Sequence, residues 1–291
     1  MLKKMLLASL LVGAGFTGIW AAEQKGKINV ISREDGSGTR GAFVEIFGLL
    51  ESKNGKKIDT TSIRAEITNS TAVMLQTAAK DKNVIGYVSL GSLKSMVKGV
   101  KIDGVAPSVE NIKSKKYTIS RPFNVVTKKN FVGDNIMTAT LVRDFLNFSK
   151  NNIAVIEKAG YIPLDSKKPK NGAGNNNLKG KIVIAGSSSI TPLMEKLKES
   201  YTAKNPNANI EILQSDSTTG INSVVQGIAD IGMVSRELKQ KELDLGISAE
   251  ILAIDGLAVI VNPKNSVDNL SKAQVRDIFS GKITKWEDLG K

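Results

Sequence analysis

Three stretches of the sequence share one pattern of apolar and polar positions. A short β-type apolar run leads into a loop rich in Gly, Ser and Thr, and an amphipathic stretch follows, in segments 27–50, 181–201 and 209–229. A less regular fourth case spans 66–80 and precedes the apolar run NVIGYVSL. The apolar positions recur every three or four residues, as on one face of a helix: Phe43, Ile46, Phe47 and Leu50; Ile190, Met194, Leu197 and Tyr201; Ile221, Val224, Val225 and Ile228. Strands that alternate with helices predict an α/β fold with largely parallel sheets.

The polar loops REDGSGTR, GSSS and SDSTTG each follow a predicted strand and precede a helix. They should meet at the carboxyl edge of the sheet, where open α/β sheets bind ligands. A helix N-terminus favours an anion because its first N–H groups are unpaired and carry partial positive charge. A single Ser or Thr could simply cap its helix, but several such loops together favour an oxyanion site. Arg33 adds a planar, permanently charged donor, and Asp35 is either its ion-pair partner or an ordinary turn carboxylate.

Composition narrows the chemistry further. The chain has neither His nor Cys, which excludes His-based triads, disulfides and conventional zinc sites. Chemistry with carboxylates alone, or with a Ser–Lys pair, stays open. The formal charge of +13 favours anionic partners. Because the charges are scattered and aromatic residues are few, we do not expect nucleic-acid binding.

Two segments are expected to lie outside the folded core. Residues 1–22 combine Lys3 and Lys4, an apolar run and a small-residue end at Ala21 and Ala22, which is typical of a secretory signal peptide. A membrane anchor is the alternative, although the run is shorter than the ~20 apolar residues that span a bilayer. Export to the periplasm or the medium is therefore expected. Residues 165–180, rich in Lys, Asn and Gly, are expected to be a flexible linker.

The first loop also permits a different interpretation. Gly36, Gly38 and Gly41 spell G-x-G-x-x-G after a strand and at a helix start, as in dinucleotide-binding sites. The acidic residue expected about 20 positions later is supplied only loosely by Asp59. An exported nucleotide-dependent oxidoreductase is therefore kept as an alternative function.

Several segments together resemble a known family. ISREDGSGTRGAF, GSSSITPLMEKLKESY, ADIGMVSREL, AIDGLAVIVNPKN and DIFSGKITKWEDLG are similar to segments of the phosphate-binding proteins that serve phosphate ABC transporters. The resemblance implies a type II-like periplasmic-binding-protein fold, in which two α/β lobes close around phosphate about a hinge. It also implies a non-enzymatic monomer without cofactor or metal, whose partner is a membrane permease. A phosphate sensor or scavenger without a transporter is the alternative.

The resemblance also implies the residues that contact phosphate. One lobe would supply Ser188, Ser189 and Ser217, and the other would supply Arg33, Ser37, Gly38 and Thr39. Asp35 would hold Arg33 in place through an ion pair. Ser235 stands where some family members carry a carboxylate that accepts the proton of phosphate. A carboxylate there would repel sulfate, so the preference for phosphate over sulfate is left open.

The order of the segments departs from the family, in which the GSSS segment precedes SREDGSGTR. We interpret this order as a circular permutation, with a fragment of a tandem or misassembled gene as the alternative. One lobe is then expected from residues 25–118 and 254–291 and the other from 119–253. The hinge strands should lie near Ser120 and Asp255, and Lys27 and Lys291 should lie close together.

Overall fold

The computed structural model describes residues 24–129, 136–164 and 178–290. The predicted signal peptide and positions 165–177 of the predicted linker lie outside the described residues, as does Lys291. Within the described ranges, no helix is long and apolar enough to cross a membrane.

The first part of the described chain alternates strands and helices as the pattern predicts. Its elements are β1 (Asn29–Arg33), α1 (Gly38–Ile46), β2 (Leu50–Lys53), β3 (Lys56–Asp59), β4 (Glu66–Thr68), α2 (Thr71–Lys80), β5 (Val84–Ser89), β6 (Lys98–Gly99), β7 (Lys101–Ile102) and α3 (Val109–Lys113). Serine caps fix the starts of the helices, because Ser37, Ser70 and Ser108 each accept a hydrogen bond from a first-turn N–H.

The remaining elements follow the same alternation. They are β8 (Ser120–Lys128), α4 (Ile136–Asn151), α5 (Ile153–Lys158), β9 (Gly180–Ser187), α6 (Thr191–Thr202), β10 (Ala208–Ser215), α7 (Ser217–Val225), β11 (Ile231–Val234), α8 (Gln240–Leu243), β12 (Ile247–Val261), β13 (Asn269–Leu270) and α9 (Lys272–Phe279). The α/β prediction is therefore confirmed. Two positions predicted on helix faces are wrong. Leu50 lies in β2, because α1 ends at Ile46. Ile228 is 60% exposed, because α7 ends at Val225 and Gly227 then adopts a φ of 75° that turns the chain away.

The main sheet runs in the order β10-β9-β11-β8-β12-β5-β1-β4, and β6 also pairs with β12. Pairing is parallel at both ends of the sheet, among β10, β9 and β11 and among β5, β1 and β4. The two strands in the middle, β8 and β12, pair antiparallel with each other and with their outer neighbours. The polar loops follow the carboxyl ends of parallel strands, as predicted, but these strands form two sets that run in opposite directions, because the antiparallel β8 and β12 lie between them. The prediction of one shared carboxyl edge is therefore wrong.

The buried apolar side chains form clusters that divide the chain at two places. We call the clusters drawn from residues 28–119 and 257–286 the first core, and those drawn from residues 123–253 the second core. Strand β12 belongs to both, since it pairs with β8 up to Gly256 and with β5 from Leu257 onward. The chain therefore passes between the cores along β8 and β12, where Asp255 lies opposite Arg121.

The two ends of the first core meet at the N-terminal end of β1. Lys27 forms an isolated antiparallel bridge with Lys285. The N–H of Trp286 donates to the carbonyl of Gly26 at 3.0 Å, and the N–H of Ile28 donates to the carbonyl of Thr284 at 2.8 Å. Residues 26–28 and 284–286 are therefore neighbours in space, although they are about 260 positions apart in sequence.

Candidate functional site

The loop after β1 places charged and hydroxyl side chains at the start of α1. Arg33 is the last residue of β1, Ser37 caps α1, and Thr39 lies in its first turn. All three side chains are buried. The hydroxyl of Tyr87 on β5 supports this strand end, because it contacts the Ser32 hydroxyl at 2.8 Å and accepts the Arg33 N–H at 3.2 Å. Burial raises the pKa of Tyr87 to about 12.

Arg33 is paired with the residue that follows it. Its Nε donates to Glu34 Oε2 at 2.7 Å and its Nη2 to Glu34 Oε1 at 2.6 Å, while Nη2 also reaches Ser188 Oγ at 3.1 Å. Among the described residues, Nη1 has no acceptor. The interpretation of Asp35 as the partner of Arg33 is therefore wrong. Asp35 is 97% exposed in the turn and pairs instead with Arg40 at 2.9 Å.

The second core contributes serines from three loops. Ser188 and Ser189 follow β9, Ser217 begins α7, and Ser235 follows β11. The Ser235 N–H donates to Ser217 Oγ at 3.0 Å, and Ser187 Oγ donates to Ser235 Oγ at 2.9 Å. These side chains are all buried, and the hydroxyls of Ser187, Ser217 and Ser235 form one connected set.

Direct hydrogen bonds join the two sets across the boundary between the cores. Thr39 Oγ1 lies 2.7 Å from Ser189 Oγ, in addition to the contact between Arg33 and Ser188. The N–H of Thr218 donates to the carbonyl of Gly36 at 3.2 Å. Most of the residues expected at the site are thus brought together: Arg33, Ser37, Gly38, Thr39, Ser188, Ser189, Ser217 and Ser235. Asp35 is the exception.

The glycines of the first loop have a packing role in this arrangement. A Cβ atom on Gly38 would lie 2.2 Å from Ser217 Oγ and 2.7 Å from Ser235 Oγ. A Cβ atom on Gly36 would lie 2.2 Å from Asp216 Oδ1. Any side chain at these positions would therefore collide with the second core, and glycine allows the two loops to approach.

Sequence reasoning missed two contributors. Glu34 binds Arg33, and Thr71, the first residue of α2, lies 3.3 Å from both Ser188 Oγ and Ser189 Oγ. The signal for Thr71 was the fourth strand–loop–helix segment, whose loop contains Asn69, Ser70 and Thr71. The sequence pattern does not indicate which of the two adjacent carboxylates, Glu34 or Asp35, pairs with Arg33.

A buried ion pair lies directly behind the serines. Nε and Nη2 of Arg121 donate to Asp255 Oδ2 at 3.1 and 3.0 Å, and Nη1 donates to the carbonyl of Ser235 at 2.9 Å. Ser89 from the first core donates to Asp255 Oδ1 at 2.8 Å. Burial lowers the pKa of Arg121 and raises that of Asp255, and the charge of each partner opposes the shift of the other. The pair thus connects the wall of the site to both cores.

The site offers donors from Arg33, from hydroxyls and from helix N-termini, a combination suited to an oxyanion. Within the described ranges, no cluster of three or more acidic side chains that could hold a metal ion was found.

Comparisons with known proteins also point to a protein that binds an oxyanion. A family model described as a PBP superfamily domain matches residues 12–152 and 171–291. Phosphate-binding protein PstS 2 of Streptococcus agalactiae serotype V is 51% identical over 303 residues, which cover 100% of both chains. PstS 2 of Streptococcus pneumoniae serotype 4 is 40% identical over 99% of both chains. A crystal structure of a phosphate-binding protein of a phosphate ABC transporter from Streptococcus pneumoniae TIGR4 covers 91% of this chain and all of its own, with a TM-score of 0.69 and 40% identity.

Proposed function

Because the chain belongs to the PBP superfamily and, within it, to the phosphate-binding proteins of ABC transporters, we propose that it captures inorganic phosphate between its two cores. The observation that carries this proposal is the convergence of one buried guanidinium with hydroxyls from both cores. Arg33 reaches Ser188, and Thr39 reaches Ser189, across the boundary between the cores. A tetrahedral oxyanion needs donors from several sides, and this arrangement provides them.

The two cores act as lobes in this proposal. Strands β8 and β12 are the only connections between them in the described chain that run through the main sheet, so they are placed to serve as the hinge. Phosphate enters when the lobes separate and is held when the loops after β1 and β9 come together. The bound ion is then delivered chemically unchanged to the membrane permease of a phosphate ABC transporter. The protein works outside the cytoplasm, as a monomer, and does not bind nucleic acid.

The alternative of an oxidoreductase is disfavoured by the packing of the glycine-rich loop. A dinucleotide would need the space beside Gly36 and Gly38, which Asp216 and Ser217 occupy in this conformation. The presence of glycine at these positions is explained instead by the close approach of the two cores.

Equilibrium dialysis against labelled phosphate tests the binding proposal. One phosphate per chain should bind, NAD should not compete, and competition by sulfate should measure the preference of the site for phosphate over sulfate. Arg64→Ala is a control with the same change of charge, since Arg64 is exposed and lies in the first-core part of the chain. Absence of saturable phosphate binding would contradict the proposal.

The transporter role needs a separate experiment. Cells of the source organism that lack this gene should take up labelled phosphate more slowly at low phosphate concentration. Re-expression of the Arg33→Ala variant should not restore uptake, whereas the Arg64→Ala variant should. Unchanged uptake in the deletion strain would favour the sensor or scavenger alternative.

We also propose that the chain order is a circular permutation of the usual family order. Supporting this, Lys27 bridges Lys285 and Gly26 donates to Glu287 Oε2 at 2.8 Å, so the segments that the permutation would separate are neighbours. The relative from S. agalactiae aligns over the full length of both chains, so it shares this order. A variant that joins Lys291 to Lys27 and opens the chain within 165–180 should fold and bind phosphate normally. Failure of that variant to fold would count against the permutation.

A further inference from the structure

Thr71 places a hydroxyl of the first core against the serine loop of the second core. It begins α2, a helix of ten residues, and its side chain is buried. Its Oγ1 lies 3.3 Å from Ser188 Oγ and 3.3 Å from Ser189 Oγ, and its N–H approaches Ser188 Oγ at 3.4 Å. These partners are 117 and 118 positions away in sequence.

The position of Thr71 is not explained by helix capping. Ser70 is the N-cap of α2, and its Oγ accepts the hydrogen bond from the N–H of Val73 at 3.2 Å. The Thr71 hydroxyl makes no hydrogen bond within its own helix among the described residues. It is therefore available to a group outside the helix.

The distances around Thr71 indicate that its hydrogen-bonding capacity is not used up. Hydroxyl pairs usually lie 2.5 to 3.0 Å apart, and Thr39 Oγ1 reaches Ser189 Oγ within that range, at 2.7 Å. The contacts of Thr71 are several tenths of an ångström longer. A stronger acceptor that entered beside Ser188 and Ser189 could therefore take the Thr71 proton without breaking a full-strength hydrogen bond.

The charged environment indicates what that acceptor would be. Nη2 of Arg33 donates to the same Ser188 Oγ at 3.1 Å, and the Arg33 side chain is 2% exposed and has no acceptor for Nη1 among the described residues. The first turn of α2 contains no acidic residue, so its N–H groups and partial positive charge are not neutralised there. A buried cation, a helix N-terminus and the Thr71 hydroxyl thus converge on Ser188, and a negatively charged oxygen fits them best.

We propose that Thr71 is a further phosphate-binding residue, which donates its hydroxyl to the phosphate oxygen that also contacts Arg33 and Ser188. This inference rests on the proposed function. It assigns α2 as a second helix of the first core whose N-terminus contributes to the site, beside α1, because the strands that precede them, β4 and β1, are paired.

Calorimetry with inorganic phosphate on a set of variants tests the inference. Thr71→Val keeps the shape of the side chain and removes the hydroxyl, so the Kd should rise by about tenfold or more, because hydrogen bonds to charged groups are the stronger class. Thr71→Ser keeps the hydroxyl and should regain most of the affinity. Ser70→Ala removes the helix cap only, and should lower the melting temperature of the ligand-free protein with little change in Kd.

Thermal unfolding with and without phosphate separates binding from folding. Thr71→Val should melt like the wild type without phosphate and gain less stability when phosphate is added. A Kd like that of the wild type for Thr71→Val would overturn the inference and leave the proposed function standing. Equal losses of affinity for Thr71→Val and Ser70→Ala would also overturn it, because the effect would then follow helix stability. A wild-type protein that does not bind phosphate would overturn both proposals.

Discussion

Removal of the Arg33 guanidinium is the sharpest test of the site, because the structure shows what the change leaves behind. Arg33→Ala deletes a buried cation and also leaves the carboxylate of Glu34 without its bidentate partner. Truncating one member of a buried charged contact typically costs about 2 to 5 kcal/mol, so phosphate affinity should fall by about 30-fold or more. The loss of affinity combines the missing attraction between Arg33 and phosphate with a new repulsion between the Glu34 carboxylate and phosphate.

A double-mutant cycle separates the two contributions. Glu34→Gln removes the negative charge that competes with phosphate for Arg33, so affinity should rise when Arg33 is present. In the Arg33→Ala background the same change removes the repulsion, and it should recover part of the lost affinity. Residues in direct contact usually couple by about 0.5 to 3 kcal/mol, and the ion pair predicts a coupling in that range.

Calorimetric titration with phosphate at neutral pH gives the four dissociation constants of the cycle. Circular dichroism on each variant would show whether the fold is retained. Arg33→Ala with wild-type affinity would remove Arg33 from the site. Equal affinities for Arg33→Ala and the double variant would show that Glu34 does not repel the ligand.

Three further predictions concern stability and packing. Asp255→Asn should lower the free energy of unfolding in urea by about 3 to 5 kcal/mol, because it leaves Arg121 buried without its counter-charge. Asp268→Asn is the control: its ion pair has a carboxylate that is 74% exposed, so the loss in the free energy of unfolding should be at most about 1 kcal/mol. Burial raises the pKa of Tyr87 to about 12, and the pKa of the other tyrosines is raised also. Stability contributed by the protonated phenols should then be lost as pH rises above about 10, and ultraviolet titration should show no tyrosine ionisation near pH 10 in the folded protein. Gly38→Ala should weaken phosphate binding by at least about fivefold, since the new Cβ would overlap a hydroxyl of the second core and overpacking of this kind costs about 1 to 3 kcal/mol. Unchanged binding would show that the cores meet differently when phosphate is bound.

The strand–loop–helix segments could be predicted because each is a local pattern. The spacing of apolar residues placed Ile190, Met194, Leu197 and Tyr201 on one buried helix face, and all four are buried. The position of each loop at the carboxyl end of its strand could be predicted for the same reason, since in an α/β fold each strand leads into the loop before its helix. The division of these strands into two parallel sets of opposite direction could not, because it depends on the antiparallel strands β8 and β12 between them.

The partner of Arg33 could not be predicted because it depends on side-chain direction. Glu34 continues alongside β4, where its N–H donates to the carbonyl of Thr68 at 3.2 Å, and Asp35 lies one residue later in an exposed turn. Two carboxylates adjacent in sequence therefore point to different guanidiniums. The role of Thr71 was hidden for a related reason: its partners are more than 100 positions away, and no local spacing reports a contact of that kind.

The geometry of the site depends on where the strands end, and less on the order in which the chain connects them. Thr39 and Ser189 are 150 positions apart, and each is positioned by its own strand and the helix that follows it. The strands that join the two cores, β8 and β12, support the site from behind through the pair of Arg121 and Asp255, in which Arg121 also donates to the carbonyl of Ser235. Exchanging the order of the two parts of the chain changes which strand and helix ends are joined by surface loops. It leaves these contacts in place, because native contacts and not connectivity determine the site. For that reason the proposed permutation and the proposed phosphate site are compatible, and each can fail its experiment without the other.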